Sequence, residues 1–439
     1  MFQVLPVHGR RRDRFLLQLG DRAAVIPAAA LVTHHADVAY PFRQDSDFWY
    51  LTGFDEPGAV ALFLPHRQDE RFVLFVAPRA PAAEVWNGLR WGCEGAVELF
   101  GADVAHPIGE LESRLSDYLD GALAVMFRVG RHPQVERSVL AALARQLDRA
   151  PRTGQPPMAL QDPSGILHGM RQLKDPLELD RLREAARISA AAHELARATA
   201  RPGMAEREVQ AVIEQSFLAA GARGPAYGSI VAGGDNACVL HYTRNDGQLR
   251  DGDLLLIDAG CSLSDYYNGD ITRTFPINGH FTPEQRQLYE LVLAAQLAAV
   301  EAVGPGTTAE HVHKTALRIL VEGLLELGLL WGSADEVIEK DAYRHLYMHR
   351  TGHWLGLDVH DVGAYRLGEH PVTLAPGMVL TVEPGLYVSD RLPVPKGQPE
   401  IESRWRGIGI RIEDDVAVTA DGREVLSGGA LKAPEALER

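Results

Sequence analysis

The stretch LLLIDAGCSLSDYYNGDITRTF, residues 254 to 275, constrains the fold most, because it sets two acids at the end of an apolar run. Leu254, Leu255, Leu256 and Ile257 read as a buried strand that stops on Asp258. Asp270 follows twelve residues later, and no Lys or Arg precedes Arg273. The design recurs. GDLLLIDAG at 252–260 has a counterpart in GMVLTVEPG at 377–385, an offset of 125 residues that matches Asp258 with Glu383. Upstream, PGMAEREV at 202–209 has a counterpart in PGTTAEHV at 305–312. Two pairs in the same order predict two related α/β halves, each running helix, Pro-Gly turn, helix and strands. Each half would bring its acidic strand end to a shared middle.

Two acids meeting in a protein interior need a counter-charge, since one unpaired buried carboxylate costs several kcal/mol. The Lys and Arg residues of the chain are too scattered in sequence to supply it visibly, whereas a divalent cation would. Further ligands are on offer. MHRTGHWLGLDVHDVG at 348–363 packs His349, His353 and His360 among glycines, and GIGIRIEDDV at 407–416 is another apolar strand broken by acid, at Glu413. Asp258, Asp270, His353, Glu383 and Glu413 form a set of four carboxylates and one imidazole. Five such residues can hold two ions, because a carboxylate bridges or chelates with its two oxygens, and the oxygen-rich set suits Mn²⁺. Asp265 and Asp414 read as solvated or as neighbours of the ligands, and Tyr266, Tyr267 and Trp354 as packing residues.

At 439 residues the chain is long enough for two domains. The first third alternates strand-like runs (AVALFLP, RFVLFVAP) with the helical RSVLAALARQLDRA, which predicts an α/β domain. APRTGQPP at 150–157 reads as a surface connection. Asp175, Pro176 and Glu178 mark a strong helix start, so the boundary falls near 165–174, giving domains 1–172 and 173–439. A second clean start lies at Thr282, Pro283 and Gln285. The net charge of -15 disfavours nucleic acid as a partner. Cys93, Cys238 and Cys261 are few and unclustered, so no disulfide framework is expected and a reduced, cytoplasmic setting fits. Neither a signal peptide nor the roughly 18-residue apolar run of a membrane span is present.

The motifs LLLIDAG…GDITRTF, HWLGLDVHD, TVEPG and GIRIEDD resemble the metal-ligand signatures of the creatinase/methionine-aminopeptidase fold, the pita-bread peptidases. YPFRQDSDFWYLTGFDEPGA at 40–59 is similar to the N-terminal domain of the aminopeptidase P family. This resemblance covers most of the chain and is weakest from about 100 to 170 and after 425. It implies an α/β (α+β) fold class, an N-terminal α/β domain followed by a pseudo-twofold pita-bread catalytic domain. It also implies two Mn²⁺ ions bridged by water or hydroxide. Glu383 would be both ligand and proton acceptor, and His241, in VLHYT, and His360 would contact the substrate and stabilise the intermediate. His349 and Arg411 match residues around the pocket for the penultimate side chain, and Asp37 an acid that recognises the free amino group. Trp86, in VWNGLRWG, matches an aromatic lent to a neighbouring subunit, in keeping with a homo-oligomer, dimer or tetramer.

The implied reaction is release of the N-terminal amino acid from peptides with proline second. Proline's tertiary amide offers no N–H and its ring is rigid, so carbonyl activation by metals suits it. Prolidase, restricted to dipeptides, is the nearest alternative and shares the ligands. Methionine aminopeptidase has no need of a leading domain, creatinase works without metals, and a non-catalytic binding protein on this fold would have lost ligands.

Overall fold

The computed structural model of the chain describes residues 6–153, 158–389, 391 and 393–438. It divides into two compact units, Met1–Met170 and Arg171–Arg439. The first unit is built on a mixed six-stranded sheet in the order Val104–Pro107, Phe72–Val76, Val60–Phe63, Ala23–Pro27, Ala124–Met126, Ala159–Gln161. Val60–Phe63 runs antiparallel to both of its neighbours, and the outer strands join in parallel. Parallel neighbours need a crossover, which the helices Gly92–Glu98 and Pro133–Thr153 supply. Every residue of Val60–Phe63 and Phe72–Val76 is buried, which is why both read as unbroken apolar runs. Leu62, Phe75, Leu115 and Phe127 meet in the core of this unit. The motif at 40–59 folds into the helix Ser46–Thr52, with Asp45 accepting from the Phe48 N–H at 3.0 Å and Gly53 ending it in the left-handed conformation. Of the connection expected at 150–157, residues 150–153 finish the helix Pro133–Thr153, and 154–157 lie outside the described residues.

In the second unit the succession of a helix pair and an antiparallel sheet occurs twice. Helices Pro176–Thr199 and Glu206–Ala219 precede a sheet of Ile230–Gly233, Leu254–Asp258 and Thr272–Pro276. Helices Pro283–Glu301 and Ala309–Glu326 precede a sheet of Val379–Val382, Asp414–Thr419 and Gly422–Val425. The two capping boxes form as expected, Asp175 with Glu178 and Thr282 with Gln285.

The register places the acids. Leu254–Asp258 is the central strand of its sheet, buried throughout, and Asp258 lies opposite both Ile230 and Thr272. In the other sheet Val382 lies opposite Asp414, so Glu383 and Glu413 leave neighbouring strand ends together. A bridge between Thr272 and Glu413 then joins the two sheets. Gly260 allows the turn after Asp258 to fold back, since a Cβ there would overlap the carbonyl oxygen of Gly269, next to Asp270.

Candidate metal centre

Asp258 and Asp270 share one phenol. Tyr227 Oη lies 2.6 Å from Asp258 Oδ1 and 2.5 Å from Asp270 Oδ1. With a single proton, the phenol donates to one acid while resting against the other. Burial first, then the charges of Asp258 and Asp270, push this phenol well above its usual range, so it stays a donor. The other oxygen of Asp258 accepts from Arg411 Nη2 at 2.5 Å. Arg411 is buried, and its Nε and Nη1 donate to Thr272 Oγ1 at 3.1 Å and Tyr387 Oη at 2.9 Å. Asp258 therefore has an organic cation, one the sequence hides because it arrives on a strand 153 residues later. Arg411, expected beside the side-chain pocket, turns its donors inward to these three groups.

His353 faces the acids with a defined nitrogen. Its Nδ1 donates to the Trp354 carbonyl oxygen at 3.0 Å, which fixes the tautomer and leaves Nε2 facing Asp270 Oδ2 at 3.3 Å and Glu383 Oε1 at 3.7 Å. Burial alone would lower this imidazole, but the Asp270 contact and the charges of Asp270 and Glu383 together push it up to about 9. Glu413 Oε2 accepts from Thr272 Oγ1 at 2.6 Å. One ligand atom from each of Asp270, His353 and Glu413 lies within 4.8 Å of the others.

The charge balance fits cations. Burial raises Glu413 well above the carboxylate range, and the charges of Asp270, Glu383 and Asp258 add to it. Burial likewise lifts Glu383 to about 7, against the pull of His353 and Arg411. Asp258 is raised by burial and Asp270 despite Arg411. Crowded, hard oxygen donors with one imidazole of fixed tautomer are the donor set of an oxygen-preferring divalent ion.

Of the other candidate imidazoles, His349 lies 3.7 Å from Glu383 and His360 packs on His353. His349 Nδ1 donates to the Arg350 carbonyl at 2.7 Å, so Nε2 accepts from Tyr387 Oη at 2.8 Å, and burial followed by Arg411 lowers the ring to about 3. The rings of His360 and His353 meet edge-on, centres 4.4 Å apart; His360 and His241 are both exposed. Asp37 lies in the other unit, on the exposed turn between the short strands Thr33–His35 and Val38–Ala39.

Asp265 is only partly solvated, since Arg181 holds it through two bonds of 2.7 and 3.1 Å. Of the two placements expected for Asp414, solvent or beside the ligands, the structure shows the second: it is fully buried next to Glu413 and paired with Arg273 and Lys432. Arg273 also donates to the Glu413 carbonyl, so this pair locks the strand that carries Glu413. Tyr266, Tyr267 and Trp354 are buried packing residues, although Tyr267 Oη also donates to Glu178 at 2.9 Å.

Asp361, directly after His360, anchors the loop that carries both His353 and His360. It accepts from Arg171 Nη2 at 2.5 Å and Lys174 Nζ at 3.0 Å, and its N–H donates to the Trp354 carbonyl at 2.9 Å. Burial opposes ionisation here, but Lys174 and Arg171 prevail and hold the acid below its usual value. A depressed carboxylate stabilises the fold above its unfolded pKa, and that contribution disappears as pH falls through the folded value. Asp361→Asn is expected to cost about 3 kcal/mol at neutral pH, as breaking one side of a buried ion pair does. The gap to the wild type should narrow below about pH 4; denaturant unfolding across pH measures it, and a pH-independent gap would refute the assignment.

Comparisons with known proteins identify the family. The model of metallopeptidase family M24 matches residues 180–420, and that of the aminopeptidase P N-terminal domain matches residues 8–126. The Xaa-Pro aminopeptidase of Escherichia coli (strain K12) is 43% identical over 431 residues, 98% of this chain and 96% of that protein. The structure of Pseudomonas aeruginosa aminopeptidase PepP matches with a TM-score of 0.94 at 44% identity, covering 100% of this chain and 98% of that one. Zinc-substituted E. coli aminopeptidase P in complex with product matches with a TM-score of 0.92 at 42% identity, over 99% of this chain and 98% of that one. With a family model spanning more than half its length and buried acids gathered round one imidazole, the chain belongs to metallopeptidase family M24 and begins with an aminopeptidase P N-terminal domain.

Proposed function

We propose that this metallopeptidase releases the N-terminal amino acid from peptides with proline in the second position, and that Asp258, Asp270, His353, Glu383 and Glu413 hold two Mn²⁺ ions. The observation that carries the reading is the convergence of four carboxylates on His353 Nε2 and Tyr227, with His353 Nδ1 already committed to a backbone carbonyl. Similarity over nearly the whole chain to a Xaa-Pro aminopeptidase supports the substrate class. Bound divalent cations supply Lewis-acid activation of water and of a carbonyl oxygen.

The protein's own groups do the rest. Among the described residues Glu383 accepts one long hydrogen bond, 3.4 Å from Thr381 Oγ1, with His349 and His353 each 3.7 Å away, so its carboxylate is available to take a proton from the attacking water and deliver it to proline's nitrogen. His241 and His360 are exposed imidazoles that donate to the carbonyl oxygen as it gains negative charge. His349, held neutral by burial, presents a ring face to proline, while Arg411 acts through Asp258 and Tyr387.

Prolidase would use the same side chains, so substrate length decides. A Xaa-Pro-Ala tripeptide should be cut at its first bond when Mn²⁺ is present and left intact after chelation. Cleavage of Xaa-Pro dipeptides alone would favour prolidase, and metal-independent cleavage would defeat both readings.

A second copy of the chain is the proposed partner. Val85, Trp86 and Leu89 are 84%, 84% and 83% exposed, and no residue of the helix Pro81–Asn87 is buried. Apolar side chains this bare mark an association surface. Sedimentation velocity should show a dimer or larger, weakened by Trp86→Ser; a monomeric wild type would exclude it.

A further inference from the structure

The segment that carries His241 is fastened at several points to one buried carboxylate. Glu206 begins the helix Glu206–Ala219 and has no exposed surface. Acids at a helix start ordinarily accept from the N–H groups of their own helix or stay in water. Glu206 does neither. Its Oε1 accepts from the Gly233 N–H at 2.8 Å and Asn236 Nδ2 at 2.9 Å. Its Oε2 accepts from Tyr242 Oη at 2.8 Å and the Gly247 N–H at 2.7 Å. All four are neutral donors, and all belong to residues 233–247.

The bonding is reciprocal, because the Glu206 N–H donates to the Gly247 carbonyl at 2.9 Å. At Gly247 the backbone comes so close that a Cβ would lie 3.0 Å from Glu206 Cδ. Asn245, buried and left-handed at φ 48, braces the same segment. It donates to the Ser229 carbonyl at 2.8 Å and Gln210 Oε1 at 2.9 Å, and accepts from the Val231 N–H at 3.0 Å. Between these anchors His241 stays exposed, one residue from the phenol that Glu206 holds. The same segment packs against the strand that leads to Arg411, since a Cβ at Gly409 would lie 2.4 Å from the Ala237 backbone.

We infer that Glu206 is a positioning residue for the reaction, clamping residues 233–247 so that His241 is presented to the substrate. This rests on the peptidase function proposed above. The test is a double-mutant cycle on the full-length, Mn²⁺-loaded protein: wild type, Glu206→Gln, His241→Ala and the double variant, assayed on a Xaa-Pro-Ala tripeptide. Glutamine keeps the shape but turns an NH₂ toward two donors. Glu206→Gln should lower kcat/KM about 30-fold in the wild-type background and less than about twofold once His241 is alanine, because coupled residues are not additive. Tyr242→Phe removes a single bond and goes through the same cycle, so an unstable Glu206→Gln leaves the question decidable. Thermal unfolding and bound metal are measured for each variant.

Equal losses in both backgrounds would mean a general structural role and overturn the inference. A folded, metal-loaded Glu206→Gln with wild-type kcat/KM would overturn it too. An inactive wild type refutes the proposed function and this inference with it, whereas an active wild type with additive losses removes only the positioning role.

Discussion

Glu413→Gln lowers kcat/KM on a Xaa-Pro tripeptide by roughly 10³-fold, about 4 kcal/mol of barrier, while leaving the metal-free protein at least as stable as the wild type. The two halves of this expectation have one cause. Glu413 shares a small volume with Asp270, Glu383 and Asp258, and each of those charges disfavours its own. At neutral pH the metal-free fold must protonate so raised an acid, and glutamine removes that cost. The amide oxygen can still accept from Thr272 Oγ1, so the bridge between the sheets survives. The charge and the ligand oxygen that favour a cation do not. Steady-state kinetics beside metal-free thermal unfolding separate the two effects; a variant that loses stability and activity together would point to a framework role for Glu413.

Arg411→Met should have the opposite signature. Its guanidinium pairs with Asp258 at 2.5 Å and also satisfies Thr272 and Tyr387, with 4% of the side chain exposed. Methionine fills much of the space but leaves Asp258 without its organic cation and Tyr387 without a donor. Truncating one partner of a buried pair costs about 3–5 kcal/mol, and that loss is expected in the metal-free protein. With Mn²⁺ saturating, the ions compensate Asp258 and the loss should shrink by more than half. Calorimetric unfolding with and without Mn²⁺ reads this directly. Equal destabilisation in both conditions would mean that Asp258 does not share its charge with a metal.

The acids were legible in the sequence because each interrupts an apolar strand or follows one within a glycine-rich turn, and because Asp258 and Glu383 stand in matching stretches. The repeated helix pairs and the capping boxes at Asp175 and Thr282 were legible for the same local reasons. What stayed hidden depends on register across the sheets. Arg411 reaches Asp258 because Ile408–Arg411 pairs with Gly385–Val388, which sets Arg411 opposite Gly385, and no local pattern encodes that. Tyr227 sits in PAYGS, where nothing distinguishes a phenol bridging two carboxylates from a packing residue. Glu206 reads as an ordinary acid at a helix start, since its donors lie 27 to 41 residues further on. Asp414 shows the same limit: the sequence left it either in solvent or beside the ligands, and only its pairing with Arg273 and Lys432 across the fold puts it in the core.

Calorimetric titration of the metal-free protein with Mn²⁺, run beside Glu413→Gln, tests the central claim most directly. The account predicts two ions per chain in the wild type and no more than one in the variant. A wild type that takes up fewer than one ion, or a variant that still binds two, would contradict it.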